Sequence, residues 1–380
     1  MSLRSRSLVR ASLSMVGTVI GAGIFGLPAA FSRVGFIPGT LLFFGLAIVV
    51  TLTHLLYAEQ LLVVRGNHRL SGLARHGLGE FAFQLTAVTY PLHVLGANYA
   101  YLILGGEFLD VLARSAGVQL PVTFWQLLFW VAGAATVVFG LKTVAKVESV
   151  LSSAKILVLL LSVILAVPLV TVSFQASQDL STWFLPFGVF LFALSGVSGI
   201  GEIVEIAGRR RPDTYWAVAG GTILSALLCW TFGVTMYFAA HGYPIRTAAD
   251  LASILPSGTG LIIPLLGFLA VATVYMITAE DLRATFTRDF SWKPWIASSV
   301  ALLTPVCLLA ILSRDFLSTI GFIGAVFVGT NSLVICLIAY KAMFHQRNHF
   351  KHIAGTALCA ALIGVYVFGI VSHLFTRDSL

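Results

Sequence analysis

The chain has 380 residues, 58% of them hydrophobic and 10% charged, with a mean hydropathy of +0.96. No soluble globular domain has that composition, and polar stretches of about 15 residues at most leave no room for one beside a membrane part. The net charge of +8 reads as basic loops that fix a membrane topology rather than as a nucleic-acid footprint.

Apolar runs of transmembrane length recur from end to end. They predict eleven spans, near 8–31, 38–64, 81–113, 121–140, 148–171, 183–207, 213–240, 259–288, 293–312, 315–340 and 352–375. Arg4, Arg6 and Arg10 precede the first run as in a signal peptide. That run is too long and has no small-residue cleavage site, so it reads as a retained span. With the N-terminus in the cytoplasm, seventeen of the 23 Lys and Arg fall on cytoplasmic segments and five outside. The bias predicts a multi-pass protein of the cell membrane with its N-terminus inside and, for an odd number of spans, its C-terminus outside.

Within span 1, Gly17–Pro28 reads GTVIGAGIFGLP. Glycine costs a helix interior about 1 kcal/mol relative to alanine, so Gly17, Gly21, Gly23 and Gly26 let the chain leave the helix cheaply. Unwound backbone is tolerated in a membrane only where protein buries it or it lines a wet cavity. The stretch predicts a binding site at mid-membrane depth, or else close helix packing through small residues. Residues 66–80 predict a cytoplasmic hinge, an interfacial helix or an ordinary amphipathic loop. In span 3, His93 and Gly96 share a helical face with Asn98 or Tyr101, and His93 reads as a proton relay or a structural histidine. Lys155 lies inside span 5, where a charge is costly and by default functional, unless it snorkels to the interface.

Span 6 repeats the interruption at Ser195–Gly201, SGVSGIG. Glu202 and Glu205 follow, then Arg209–Arg211; Glu205 and Arg209 have the i,i+4 spacing of an ion pair, at a cytoplasmic gate or on its surface. Residues 241–258 hold TAADLASIL between turn residues, the place for an outer lid or an amphipathic loop. Cys229, Cys307, Cys336 and Cys359 lie in apolar runs without metal-ligand spacing and read as small hydrophobes.

Five spans separate the two interruptions. A five-helix repeat, residues 1–171 and 172–340, puts them at corresponding positions in inverted copies, with 341–380 as an extra span. Paired Gly-broken spans of this kind mark the site of a secondary transporter. The half-helix after the span 1 break offers free N–H groups and about half a unit of positive charge to a carboxylate. The half-helix before the span 6 break ends in carbonyls that suit an ammonium. The pair fits an amino acid zwitterion, with the hydroxyls of Thr18, Ser195 and Ser198 in support.

GTVIGAGIFGLPAAFSRVGFIPG, FALSGVSGIGEIVEIAGRRRP and TAEDLRATFTRDF resemble the first, sixth and eighth spans of the amino acid/auxin permeases and aromatic amino acid permeases, within the amino acid–polyamine–organocation superfamily. The resemblance implies an all-α membrane protein of the leucine-transporter fold, with spans 1 and 6 broken, that takes up an amino acid with a proton or sodium ion. It implies Gly21, Ala22 and Gly23 at the substrate carboxylate and Phe192 as a lid, unless that ring simply packs; Gly196 lies in the second break, and Asn98 and Tyr101, on a span that faces the site in this fold, read as substrate contacts or as interhelical hydrogen bonds. Sodium-coupled relatives use hydroxyls of span 8; Thr278 matches one, but Ala279 stands where a second is usual. In some proton-coupled relatives a span 5 lysine takes the place of sodium, and Lys155 resembles it. Proton coupling through Lys155 is therefore expected, with Glu202 and Glu280 as further acidic carriers. No nucleophile–base pair, metal motif or phosphate loop is present, so neither an enzyme nor a cofactor is expected. The expected partners are an amino acid, the coupling ion and membrane lipid. The rivals are a transporter-like amino acid receptor without net transport, and a channel.

Overall fold

The computed structural model describes residues 3–64, 66, 68–138, 141–171, 184–241, 243, 245, 247–256, 258–312, 314–344 and 349–375, whose regular elements are all helical. Arg65, Arg246, Arg347 and Arg377, which contribute to the charge bias, and the segment 172–183 lie outside the described residues. The first span is α1 (Leu3–Val19), a 3₁₀ turn at Ala22–Gly26, and α2 (Leu27–Val34). There follow α3 (Phe36–Val63), α4 (Leu70–Leu78), α5 (Glu80–Ser115), α6 (Val122–Val138) and α7 (Leu141–Ala166). The sixth span is α8 (Phe184–Leu194) and α9 (Val197–Ile206), then come α10 (Arg211–Ala239), α11 (Ala248–Ala252), α12 (Ile262–Arg288) and α13 (Pro294–Ile311). The tenth is α14 (Phe316–Phe322), a π-helical stretch at Ile323–Val328 and α15 (Gly329–Phe344), and α16 (His349–Phe375) closes the series.

Eight helical spans are long and apolar enough to cross a membrane, nine with the bent pair α1–α2. The other two of the eleven expected fall on α5, 36 residues long, and on the shorter apolar α6. Length and apolarity alone therefore do not reach eleven.

Both glycine-rich stretches interrupt their helices. The first span bends by 46° between Val19 and Ala22, with Gly21 extended at φ −124, ψ −151. In the sixth, Ser195 and Gly196 leave the helix for two residues. The sixth span is 83% buried and α12 78%, against 22% for α16, so the broken helix and α12 form the centre and α16 the periphery.

The glycines also permit contact at backbone distance. A Cβ on Gly23 would lie 2.5 Å from Ala193 Cα, and one on Gly199 2.5 Å from Thr18 Oγ1. The two broken spans thus cross directly on each other. Unwinding and small-residue packing, posed as alternatives by the sequence, occur together. Gly188 on α8 meets the tenth span in the same way, its Cβ position 2.0 Å from the Gly321 carbonyl oxygen.

The stretch 66–80 holds a helix, α4. Its first turn is capped by the Asp289 carboxylate, which accepts from the N–H groups of Arg69 (3.0 Å) and Gly72 (2.9 Å) and so ties it to the end of α12. The stretch 241–258, expected as an outer lid or loop, holds the short helix α11 behind a Thr247–Asp250 capping box. The expected Glu205–Arg209 pair is not formed. The helix stops at Ile206 and Arg209 turns to φ 55, which breaks the i,i+4 geometry. Glu205 faces Arg288 at 3.7 Å and Arg209 donates to the Leu61 carbonyl at 2.5 Å.

Gly188→Ala forces the backbones of α8 and the tenth span apart and costs about 1–3 kcal/mol. Gly220→Ala on α10 meets nothing within 4 Å and gains up to about 1 kcal/mol of helix propensity. Thermal unfolding of the purified protein in detergent checks both signs.

Candidate functional site

A helix that stops inside a membrane leaves carbonyl oxygens at one end and N–H groups at the other without partners. At the end of α1 the carbonyls are taken up by Lys155. This residue, on α7, is fully buried. Its Nζ donates to the Gly17 carbonyl (2.7 Å), the Ile20 carbonyl (2.7 Å) and Thr273 Oγ1 (2.9 Å). An ammonium has three N–H donors, and each has an acceptor. The Thr273 hydroxyl gives its own proton within α12, to Leu269 or Ala270 (3.0 and 2.9 Å), which leaves a lone pair for the lysine. The positive charge also sits at the negative end of the α1 dipole.

Beyond the break, the first 3₁₀ hydrogen bond runs from the Ile24 N–H to the Gly21 carbonyl at 3.5 Å, and no side chain caps the turn. The N–H groups of Ala22 and Gly23 precede that bond, as the open donors of a helix start do.

The second break is held by His54 of α3, a residue that no motif in the sequence singles out. The Gly196 N–H donates to His54 Nε2 (3.1 Å), and His54 Nδ1 faces Thr222 Oγ1 of α10 (3.1 Å). An imidazole that accepts at Nε2 carries its proton on Nδ1, so Nδ1–H donates to Thr222. A titratable ring in the middle of the apolar run of span 2 is the signal that could have found it.

Between the breaks lies a cavity of about 20 Å³, room for about one water, which must widen to hold an amino acid. Hydroxyls of Thr18, Ser195, Ser198 and Thr278 line it, with the rings of Tyr101 and Phe192, His93, and the apolar Val94, Ala97 and Val274. The Tyr101 and Phe192 rings lie 6.3 Å apart, centroid to centroid. Gly21 packs against Val274 and Gly23 against Ala193, so the turn after the first break stands directly behind the cavity wall.

The structure thus gathers Thr18, Tyr101, Phe192, Ser195, Ser198 and Thr278 around one space. Asn98 stands behind it, accepting a 2.5 Å hydrogen bond from Thr278. Thr278, expected beside the coupling ion, lines the cavity instead; the hydroxyl beside Lys155 is Thr273. Glu280 lies outside both places, paired with Arg283 at 2.5 Å, and Glu202 is half-buried on α9. Asp281, next to Glu280 in span 8, belongs to a buried cluster that sequence reasoning did not assemble. There Asp281 accepts from the Tyr90 hydroxyl and lies 3.4 Å from Arg69 Nε.

Residues 4–376 match the tryptophan/tyrosine permease family. The chain belongs to that family. It is 19% identical to Glutamine transporter 2 of Aliivibrio fischeri, over 96% of this chain and 97% of that protein. It is 22% identical to putative sodium-coupled neutral amino acid transporter 11 of Danio rerio, over 89% of this chain and 71% of that one. Its fold is similar to that of MhsT, solved in complex with L-phenylalanine, with a TM-score of 0.70 at 15% identity over 96% of this chain and 97% of that one. The permease is therefore a multi-pass membrane transporter of the leucine-transporter fold, within the superfamily its motifs resemble, and not an enzyme.

His54→Phe keeps a ring in place and removes the acceptor. It leaves the Gly196 N–H buried and unsatisfied, a loss of about 1–3 kcal/mol. The melting temperature falls, and less so for His54→Gln, which can still accept. An unchanged melting temperature for His54→Phe contradicts the role given to His54.

Proposed function

We propose that this permease carries an amino acid across the cell membrane in symport with a proton, by alternating access about its two broken spans. The cage around Lys155 is the observation that carries the reading. The substrate carboxylate takes the N–H groups of Ala22 and Gly23. Its ammonium takes the carbonyl end of α8 with the hydroxyls of Ser195 and Ser198, and its side chain lies under Phe192 and Tyr101. The names of the family and of the relatives support an amino acid as cargo. Both relatives are named transporters, and nothing favours the receptor reading.

Protonated Lys155 ties the end of α1 to α7 and α12. When the proton leaves, one donor and the charge go with it, and α1 is released to swing. Residues 1–171 and 172–340 act as the two halves that rock, with α16 outside them. The N-terminus faces the cytoplasm, in line with the charge bias.

Sodium is the alternative, and the Danio rerio relative carries it in its name. Lys155 disfavours it here because the ammonium already holds the oxygens a cation would use. A second positive charge about 4 Å away costs about 4 kcal/mol at an effective dielectric constant of about 20.

Proteoliposomes separate the two ions. An imposed pH gradient drives uptake of radiolabelled amino acid, and a sodium gradient alone does not. Lys155→Ala lowers pH-driven uptake by at least about tenfold, a change of 1.4 kcal/mol, while amino acid exchange persists. Undiminished pH-driven uptake by Lys155→Ala overturns the coupling role.

A further inference from the structure

Away from the substrate cavity, a groove of about 600 Å³ opens between α3, α4 and α15, at the end of the bundle that the charge bias places in the cytoplasm. Its floor is apolar, with Leu56 of α3, Leu73 of α4, and Ile338 and Met343 of α15. Its rim is basic. Arg211 begins α10, Lys341 lies in the last turn of α15, and His76 lies in the last turn of α4. Glu59, the acid of the lining, pairs with Arg211 Nη2 (2.7 Å) and accepts from the Tyr215 hydroxyl (2.7 Å). Arg211 has further N–H donors, and two cations against one carboxylate leave the rim net positive.

Floor and rim differ in depth. Glu59 follows Leu56 and Lys341 follows Ile338 by three residues, a rise of about 4.5 Å. On both helices the charge therefore stands outward of the apolar wall. Beside Arg211, the rings of Tyr215 and Trp216 are exposed, Trp216 by 72%. Such rings mark the headgroup level of a bilayer. Val63 also lines the groove and is 57% exposed, so the apolar wall continues onto the outer surface of α3.

A soluble phosphate suits the rim but leaves the apolar floor against water. A zwitterionic lipid covers the floor but brings no net charge to the rim. We propose that the groove is a binding site for an anionic glycerophospholipid such as phosphatidylglycerol. Its phosphate lies on Lys341 and Arg211, and the start of an acyl chain lies against Leu56, Ile338 and Met343. Basic pockets between membrane helices hold anionic headgroups in this way, and the chain adds apolar burial. The lipid joins α4 to α3 and α15. Asp289 already ties α4 to α12, so a bound lipid braces this whole end of the bundle.

Native mass spectrometry of the full chain in detergent tests the site, by titration with phosphatidylglycerol, phosphatidylcholine or glycerol phosphate. The wild type binds phosphatidylglycerol about ten- to thirtyfold more tightly than phosphatidylcholine, as two basic residues at a membrane surface give. Lys341→Ala combined with Arg211→Gln removes that preference and leaves phosphatidylcholine binding unchanged. Ala342 lines the groove and is exposed. Ala342→Trp fills the groove without touching a charge, lowers binding of both lipids, and serves as the test should the double variant fail to fold. Three results overturn the inference: equal affinity of the wild type for the two lipids, unchanged phosphatidylglycerol binding by Ala342→Trp, or displacement of phosphatidylglycerol by glycerol phosphate. The titration needs no transport, so its outcome is independent of the cargo and the coupling ion.

Discussion

The ammonium of Lys155 against the open end of α1 is the contact on which the centre of this protein depends. Ending a helix in the bilayer exposes carbonyls where no water reaches them, at a cost of several kcal/mol for each unsatisfied group (about 2–7 by transfer measurements). Lys155 answers two of them at once and anchors itself on Thr273. One side chain thereby joins the first span to α7 and α12, and the interruption becomes a fixed part of the fold rather than a defect.

The second interruption has a different solution. His54 of α3 and Thr222 of α10 hold the Gly196 N–H in a chain of neutral hydrogen bonds. One break is thus held by a charge and the other by a neutral ring. In the mechanism proposed above, loss of a proton loosens the first and leaves the second as it is. The two broken spans meet through Gly23 and Gly199 at distances that no side chain allows, so a shift of α1 is felt at once along α8 and α9.

Much of this was legible in the sequence because the signals are local. Clustered glycine in an apolar run marks a break, and a lysine within a span marks a site, whatever the rest of the chain does. What was not legible depends on partners far away in the chain: His54 lies 142 residues from Gly196 and Asn98 180 from Thr278. Thr278 was placed at the ion by resemblance of motif. Thr273 stands five residues earlier, which is about 140° around a helix, and that rotation sends one hydroxyl to Lys155 and the other to the cavity. The Glu205–Arg209 pairing failed because spacing rules assume an unbroken helix, and this one ends at Ile206. Charge counting cannot show where Glu280 turns, and Arg283 one turn on takes it out of the site.

If the cage around Lys155 couples a proton to the cargo, substrate and proton must enter together. The direct measurement is the lumen pH of sodium-free proteoliposomes loaded with a pH-sensitive dye. Addition of the transported amino acid outside is predicted to acidify the lumen, at a rate that saturates with the amino acid. Entry of the amino acid with no change in lumen pH, or entry that waits for sodium, would contradict the account.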